Sequence, residues 1–152
     1  MKVKIIFIVF VFAMVVVQIA CKPKTYYTYK NTFGIPPAEF AMMDTPNYTI
    51  IEMRNTSVDF GTIAQGDSVV LEYGFKNTGD NTLFFGGVYP SCGCTVPTYS
   101  TEPIMPGKSS LLKAIYHSRE DTGQVHKTIK ILTNTSNRIE RILEFHGYVK
   151  PK

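Results

Sequence analysis

Residues 68–76, SVVLEYGFK, decide the fold. Val69, Leu71, Tyr73 and Phe75 fall on one side of an extended chain and Ser68, Glu72 and Lys76 on the other. That is the period of two required by a strand with one buried face. Gly66-Asp67 opens the run and Asn77-Thr78-Gly79-Asp80-Asn81 closes it, and both segments carry residues that tolerate positive φ. Thr82 to Val88 reads as the next strand, so the pair predicts a hairpin.

Outward from this pair, short β-rich runs recur at Thr49–Arg54, Val58–Ile63, Ser110–His117, Val125–Thr133 and Ile139–Val149, and Ser118 to Gly123 suits a turn. In the last run Leu143, Phe145 and Val149 alternate with Glu144, His146 and Tyr148. No window holds a helical apolar period for three turns, which argues against an α/β sheet. About seven strands in about a hundred residues predict an all-β, immunoglobulin-like β-sandwich. The chain has no Trp, so the Cys…Trp…Cys hallmark of antibody domains is missing.

The 152 residues are 44% hydrophobic, 12% aromatic and 18% charged, enough for one globular domain with a core and too apolar for disorder. Lys and Arg number 16 against 12 acids, for a charge of +4; removing Lys2 and Lys4 with the leader leaves 14 against 12, or +2. A balance so small, with its basic residues scattered, argues against a nucleic-acid partner.

Lys2 and Lys4 precede the unbroken apolar run Ile5–Val17. Residues 1–20 therefore read as a secretory signal peptide, with an uncleaved anchor as the alternative, although the run is shorter than the roughly 20 residues of a spanning helix. Ala20-Cys21 resembles the lipobox of bacterial lipoproteins, in which the cysteine is lipidated and becomes the mature N-terminus. Gln18 and Ile19 depart from the Leu and small residue usual there. Cys21 is thus the expected lipid anchor, and the membrane the expected first partner. Residues 21–47, interrupted by Pro23, Pro36, Pro37 and Pro46, read as a tether, and 48–152 as the domain.

Two further cysteines flank one glycine, Cys92-Gly93-Cys94, between Pro90 and Pro97. Three uses remain open. The pair can form a disulfide in an oxidising envelope, with Gly93 supplying the unusual backbone and strain making the bond labile. It can bind a soft metal, Cu(I) above all, with His117, His126 and His146 as the remaining ligand types. It can simply fill the end of the sandwich. Hydrolytic, phosphate-cradling and dinucleotide templates are missing, so no enzyme is expected and no cofactor beyond a possible copper ion. Sequons at Asn47, Asn55 and Asn134 read as incidental in a bacterial lipoprotein.

Asp59-Phe60-Gly61-Thr62-Ile63, Gly66, Phe75-Lys76-Asn77-Thr78-Gly79, Val88-Tyr89-Pro90-Ser91-Cys92-Gly93-Cys94-Thr95, Pro103-Ile104-Met105-Pro106-Gly107-Lys108 and Thr133-Asn134 form an ordered set. It resembles the bacterial family called domain of unknown function 1573, over roughly Val58 to Val149. The resemblance implies a secreted or lipid-anchored immunoglobulin-like sandwich, related in form to major-sperm-protein and hydin-type domains, and implies no activity.

These readings converge on an extracytoplasmic, lipid-anchored binding module of the cell envelope with a protein partner. The expected contact surface is the stretch Tyr89–Lys108, with Tyr89, Pro90, Ser91, Gly93, Thr95, Pro97, Pro106, Gly107 and Lys108 as its residues. The alternative is an envelope thiol-redox or Cu(I)-handling protein using Cys92 and Cys94.

Overall fold

The computed structural model describes residues 47–152. The expected signal peptide, Cys21 and nearly all of the tether lie outside the described residues.

Eight strands follow one another: β1 (Ile51–Met53), β2 (Ser57–Ala64), β3 (Ser68–Asn77), β4 (Phe85–Pro90), β5 (Thr95–Thr98), β6 (Ser109–His117), β7 (Gly123–Thr133) and β8 (Glu140–Lys150). They form two four-stranded sheets, β1-β3-β6-β5 and β2-β8-β7-β4. Neighbours are antiparallel except β2 and β8, which run parallel.

The interior is built by alternation. Leu71, Tyr73 and Phe75 from β3 and Leu112, Ala114 and Tyr116 from β6 face Val125, Ile129 and Ile131 from β7 and Leu143, Phe145 and Val149 from β8, all buried. The Tyr116 and Phe145 rings meet at 5.2 Å, and Phe60 of β2 lies 5.4 Å from Tyr116. The buried Tyr73 hydroxyl donates to the Glu144 carbonyl at 2.8 Å, which satisfies the polar end of an otherwise apolar ring.

The described residues hold two sheets of four strands, in keeping with the expected sandwich of about seven; β5, whose four residues include Pro97, shows no apolar alternation. Two expectations are corrected. The expected hairpin does not form, because β3 and β4 belong to opposite sheets. Phe75 and Phe85 instead pack edge to face across the interior at 5.2 Å. The expected strand Thr82–Val88 is shifted: Leu83 makes only an isolated bridge to Ile104 ahead of β4, and pairing with β7 carries β4 on to Pro90.

The crossing between β3 and β4 is anchored by Asn77, fully buried. Its amide donates to the carbonyls of Asn81 and Ile104 at 2.8 and 2.9 Å, and its Oδ1 accepts from the Thr49 hydroxyl at 2.7 Å and the Gly79 N–H at 3.2 Å. Every hydrogen-bonding position of that side chain is filled, which is what makes its burial tolerable.

Each sheet edge is interrupted. β1 has three residues, β2 and β4 change register at Phe60-Gly61 and Gly86, and β5 contains Pro97. Short, bulged or proline-bearing edges are poor templates for an added strand.

Candidate functional site

β4 ends in one sheet and β5 begins in the other, so residues 91–94 carry the chain across one end of the sandwich. The Ser91 N–H donates to the Thr128 carbonyl at 2.9 Å, and the Thr128 N–H donates to Ser91 Oγ at 3.1 Å, which ties the start of the turn to β7. The His117 N–H donates to the Cys94 carbonyl at 2.8 Å and ties its end to β6.

Within this turn Cys92 and Cys94 form a disulfide with a Cα–Cα distance of 5.2 Å. Gly93, the residue expected to supply an unusual backbone, is not in the left-handed region. A Cβ placed on it would meet nothing within 4 Å. Both cysteines are half-buried. Beneath them Thr95 is 4% exposed, with its hydroxyl 3.5 Å from Cys92 Sγ and 3.9 Å from Cys94 Sγ.

The disulfide forms part of the wall of an open cleft of about 480 Å³. Val96, His117, Arg119, Glu120, Asp121 and Lys127 also line it. Asp121 ties two of its neighbours in place: its carboxylate accepts from the Tyr116 hydroxyl at 2.7 Å and from Lys127 Nζ at 3.2 Å. Burial, followed by the hydrogen bond to Asp121 and its charge, holds the Tyr116 phenol well above its ordinary range. Arg119 and Lys127 offset Glu120 and Asp121 in the lining, so these formal charges balance.

The histidines do not converge. His117 reaches the cleft, its Nδ1 2.7 Å from Ser68 Oγ. His126 and His146 are partners in the β7–β8 ladder; the first lies 3.4 Å from Glu144 and the second 3.5 Å from Ser57. Among the described residues no group of three or more His, Cys, Asp and Glu side chains is placed to hold a metal. With the sulfurs joined, Cu(I) would first require the bond to be reduced to thiolates.

The stretch Tyr89–Lys108 is not one loop. Tyr89 and Pro90 end β4, and the Tyr89 ring lies over Gly87, with Lys130 Nζ 5.6 Å from its centroid. Ser91 and Gly93 belong to the disulfide turn, and Thr95 and Pro97 to β5. Pro106, Gly107 and Lys108 sit at the opposite end of the sandwich. There the Gly107 N–H donates to the Asn77 carbonyl and the Asn77 N–H to the Lys108 carbonyl, and Gly107 takes a φ of 77°. Thr95 pairs with Tyr116, whereas Lys108 directly precedes Ser109 at the other end of β6, so the two groups are roughly 26 Å apart along the strand. Asn134 of the third sequon is fully buried, with its Oδ1 accepting from the Phe84 N–H at 2.7 Å, so its amide serves the fold.

A feature absent from the sequence reading lies beside the cleft. Val70, Ile115 and Val96 are register partners on β3, β6 and β5, forming a row across the outer face of that sheet; they are 56%, 38% and 51% exposed. The next row carries the Glu72–Lys113 ion pair at 2.7 Å. The available signal was Val70, an apolar residue on the polar side of the β3 alternation.

Residues 51–149 match the family model described as "Protein of unknown function (DUF1573)". No curated protein matches the chain. Among solved structures, it is similar to a protein of unknown function from Porphyromonas gingivalis W83, with 17% identity and a TM-score of 0.59 over 69% of this chain and 49% of that one. It is also similar to the VesB protease of Vibrio cholerae, with 10% identity and a TM-score of 0.50 over 74% of this chain and 34% of that one. A third similarity is to the ASH / PapD-like domain of human CEP192, with 13% identity and a TM-score of 0.49 over 70% and 88%. This chain spans about half the length of the first of these, and at such identities the first two show the fold alone. The family model, in contrast, covers nearly all of the sandwich described above, and the chain belongs to the DUF1573 family of proteins of unknown function.

Proposed function

We propose that the protein is an extracytoplasmic binding module, lipid-anchored through Cys21 and set off from the membrane by residues 22–47. It meets a protein partner with the outer face of the β1-β3-β6-β5 sheet, at the end bearing the Cys92–Cys94 turn. The observation that carries this reading is the row Val70, Ile115 and Val96. Apolar side chains lined up across three strands, flanked by a charged row and by the cleft, have the makeup of a small interface core with a polar rim.

The opposite sheet offers a contrast. Its exposed Ile142 stands between Glu140 and Glu144, which engage Lys130 at 3.7 Å and His126 at 3.4 Å. Isolated apolar residues of that kind are ordinary surface. The interrupted edges favour contact through a face over strand addition.

The test is chemical cross-linking of intact envelopes carrying the full chain, Ile115→Lys or Ile142→Lys. A discrete cross-linked complex is expected with the natural chain and with Ile142→Lys, and its loss with Ile115→Lys. A complex that survives Ile115→Lys unchanged contradicts the proposal.

A further inference from the structure

The Cys92–Cys94 disulfide gives the fold little. A ring closed across one residue barely restricts the unfolded chain. The turn is already held by its bonds to Thr128 and His117, and β5 by its pairing with β6. A bond the fold does not need therefore stands in the wall of an open cleft.

Thr95 adds a second, independent observation. Among the described residues its buried hydroxyl has the two sulfurs as its partners. Neither sulfur of a disulfide carries a proton, so the hydroxyl is the donor. A disulfide sulfur is a weak acceptor, whereas a thiolate is a charged one that shortens and strengthens such a bond. The O–H is thus matched to the charge that appears when the disulfide opens.

We propose that Cys92–Cys94 is a thiol–disulfide exchange site for a partner protein bearing two cysteine thiols. A thiolate of the partner attacks Cys92 Sγ and forms an intermolecular S–S bond. The Cys92–Cys94 bond breaks, and its electron pair goes to Cys94 Sγ, which leaves as a thiolate 3.9 Å from the Thr95 hydroxyl, whose nearer contact in the closed disulfide is Cys92 Sγ at 3.5 Å. The partner's second thiolate then attacks the partner's own sulfur in the mixed disulfide and releases Cys92. The partner is oxidised to a disulfide, this protein is reduced by two electrons to a dithiol, and the two protons lost by the partner's thiols end on Cys92 and Cys94. Cys92 is the point of attack because Cys94 is packed against the hydrophobic core. Thr95 is a positioning residue that acts through the leaving sulfur. The inference goes beyond the docking reading and does not depend on it.

The experiment equilibrates the purified full chain in glutathione buffers of rising reduced fraction, followed by acid quench, alkylation and peptide mapping that scores residues 92–94 apart from Cys21. Half-reduction within the glutathione range is expected, where structural disulfides stay closed. Thr95→Val is expected to slow reduction by a small dithiol about tenfold, the worth of one hydrogen bond to a charged atom, and Thr95→Ser to restore the rate. The thiol left by Cys94→Ser is expected to react with oxidised glutathione about tenfold faster than the thiol left by Cys92→Ser, because its sulfur is not packed on the core. A bond that stays closed throughout the glutathione range overturns the proposal. Reduction of Thr95→Val at the natural rate overturns the part given to Thr95, and equal reactivity of the two single-cysteine variants overturns the direction of attack. If the bond resists reduction while the envelope complex still depends on Ile115, the exchange falls and the docking reading stands.

Discussion

At Gly147 the backbone of β8 passes directly beneath the Phe60 ring, where a Cβ would collide with the ring and with the Gly61 carbonyl. Phe60 is itself fixed against Tyr116 and Phe145 at 5.4 and 6.3 Å, so it has little room to give. Gly147→Ala is therefore expected to cost about 1–3 kcal/mol as overpacking, read from the urea midpoint. Gly93→Ala, which meets nothing within 4 Å, is expected to stay within about 0.5 kcal/mol. At the same scale two buried phenols set the response to alkali. Burial raises Tyr73, with the Glu144 charge adding to it, and burial raises Tyr116, with Asp121 adding to it, from the ordinary value of 10.0. A folded-state value above the unfolded one means that the contribution is complete below pH 10 and is lost as the unfolded phenols ionise and pH rises further. Stability to urea is expected to be flat approaching pH 10 and to fall above it, less steeply in Tyr116→Phe. An equal slope in that variant would contradict the assignment.

At the scale of elements, the exit from β3 depends on Asn77. Asn77→Ala removes four side-chain hydrogen bonds and leaves the Ile104 carbonyl and the Thr49 hydroxyl without this partner, so a loss of about 2–4 kcal/mol is expected in denaturant melts. From the sequence this asparagine reads as a turn residue, and the turn is there. Its burial is not legible locally, because it arises from Thr49 and Ile104 closing over it. β3, β6, β7 and β8 were readable because each has one face in the core, which writes a period of two into the chain. β5 was not, since an edge strand with Val96 outward and Pro97 inside it shows no such period. The false hairpin has the same origin: turn chemistry marks where a chain reverses and leaves open which sheet receives it.

At the scale of the whole molecule, the sandwich brings distant residues to one end. Cys92 and Cys94 were visible as a motif, but their surroundings come from β6, from the turn after it and from β7, so His117, Asp121 and Lys127 carried no sign of a shared cleft. The same geometry divides the contact surface expected from Tyr89–Lys108, sending Pro106, Gly107 and Lys108 to the far end. The row Val70–Ile115–Val96 exists only once β3, β6 and β5 are in register. Whether this row meets a partner is read by site-specific photo-cross-linking in intact envelopes, with a photoreactive residue in place of Val96 in one chain and of Ile142 in another. A discrete cross-linked species is expected from position 96 and none from position 142, although the two are similarly exposed at 51% and 44%. Equal yields from both positions, or a species from 142 alone, would contradict the docking reading.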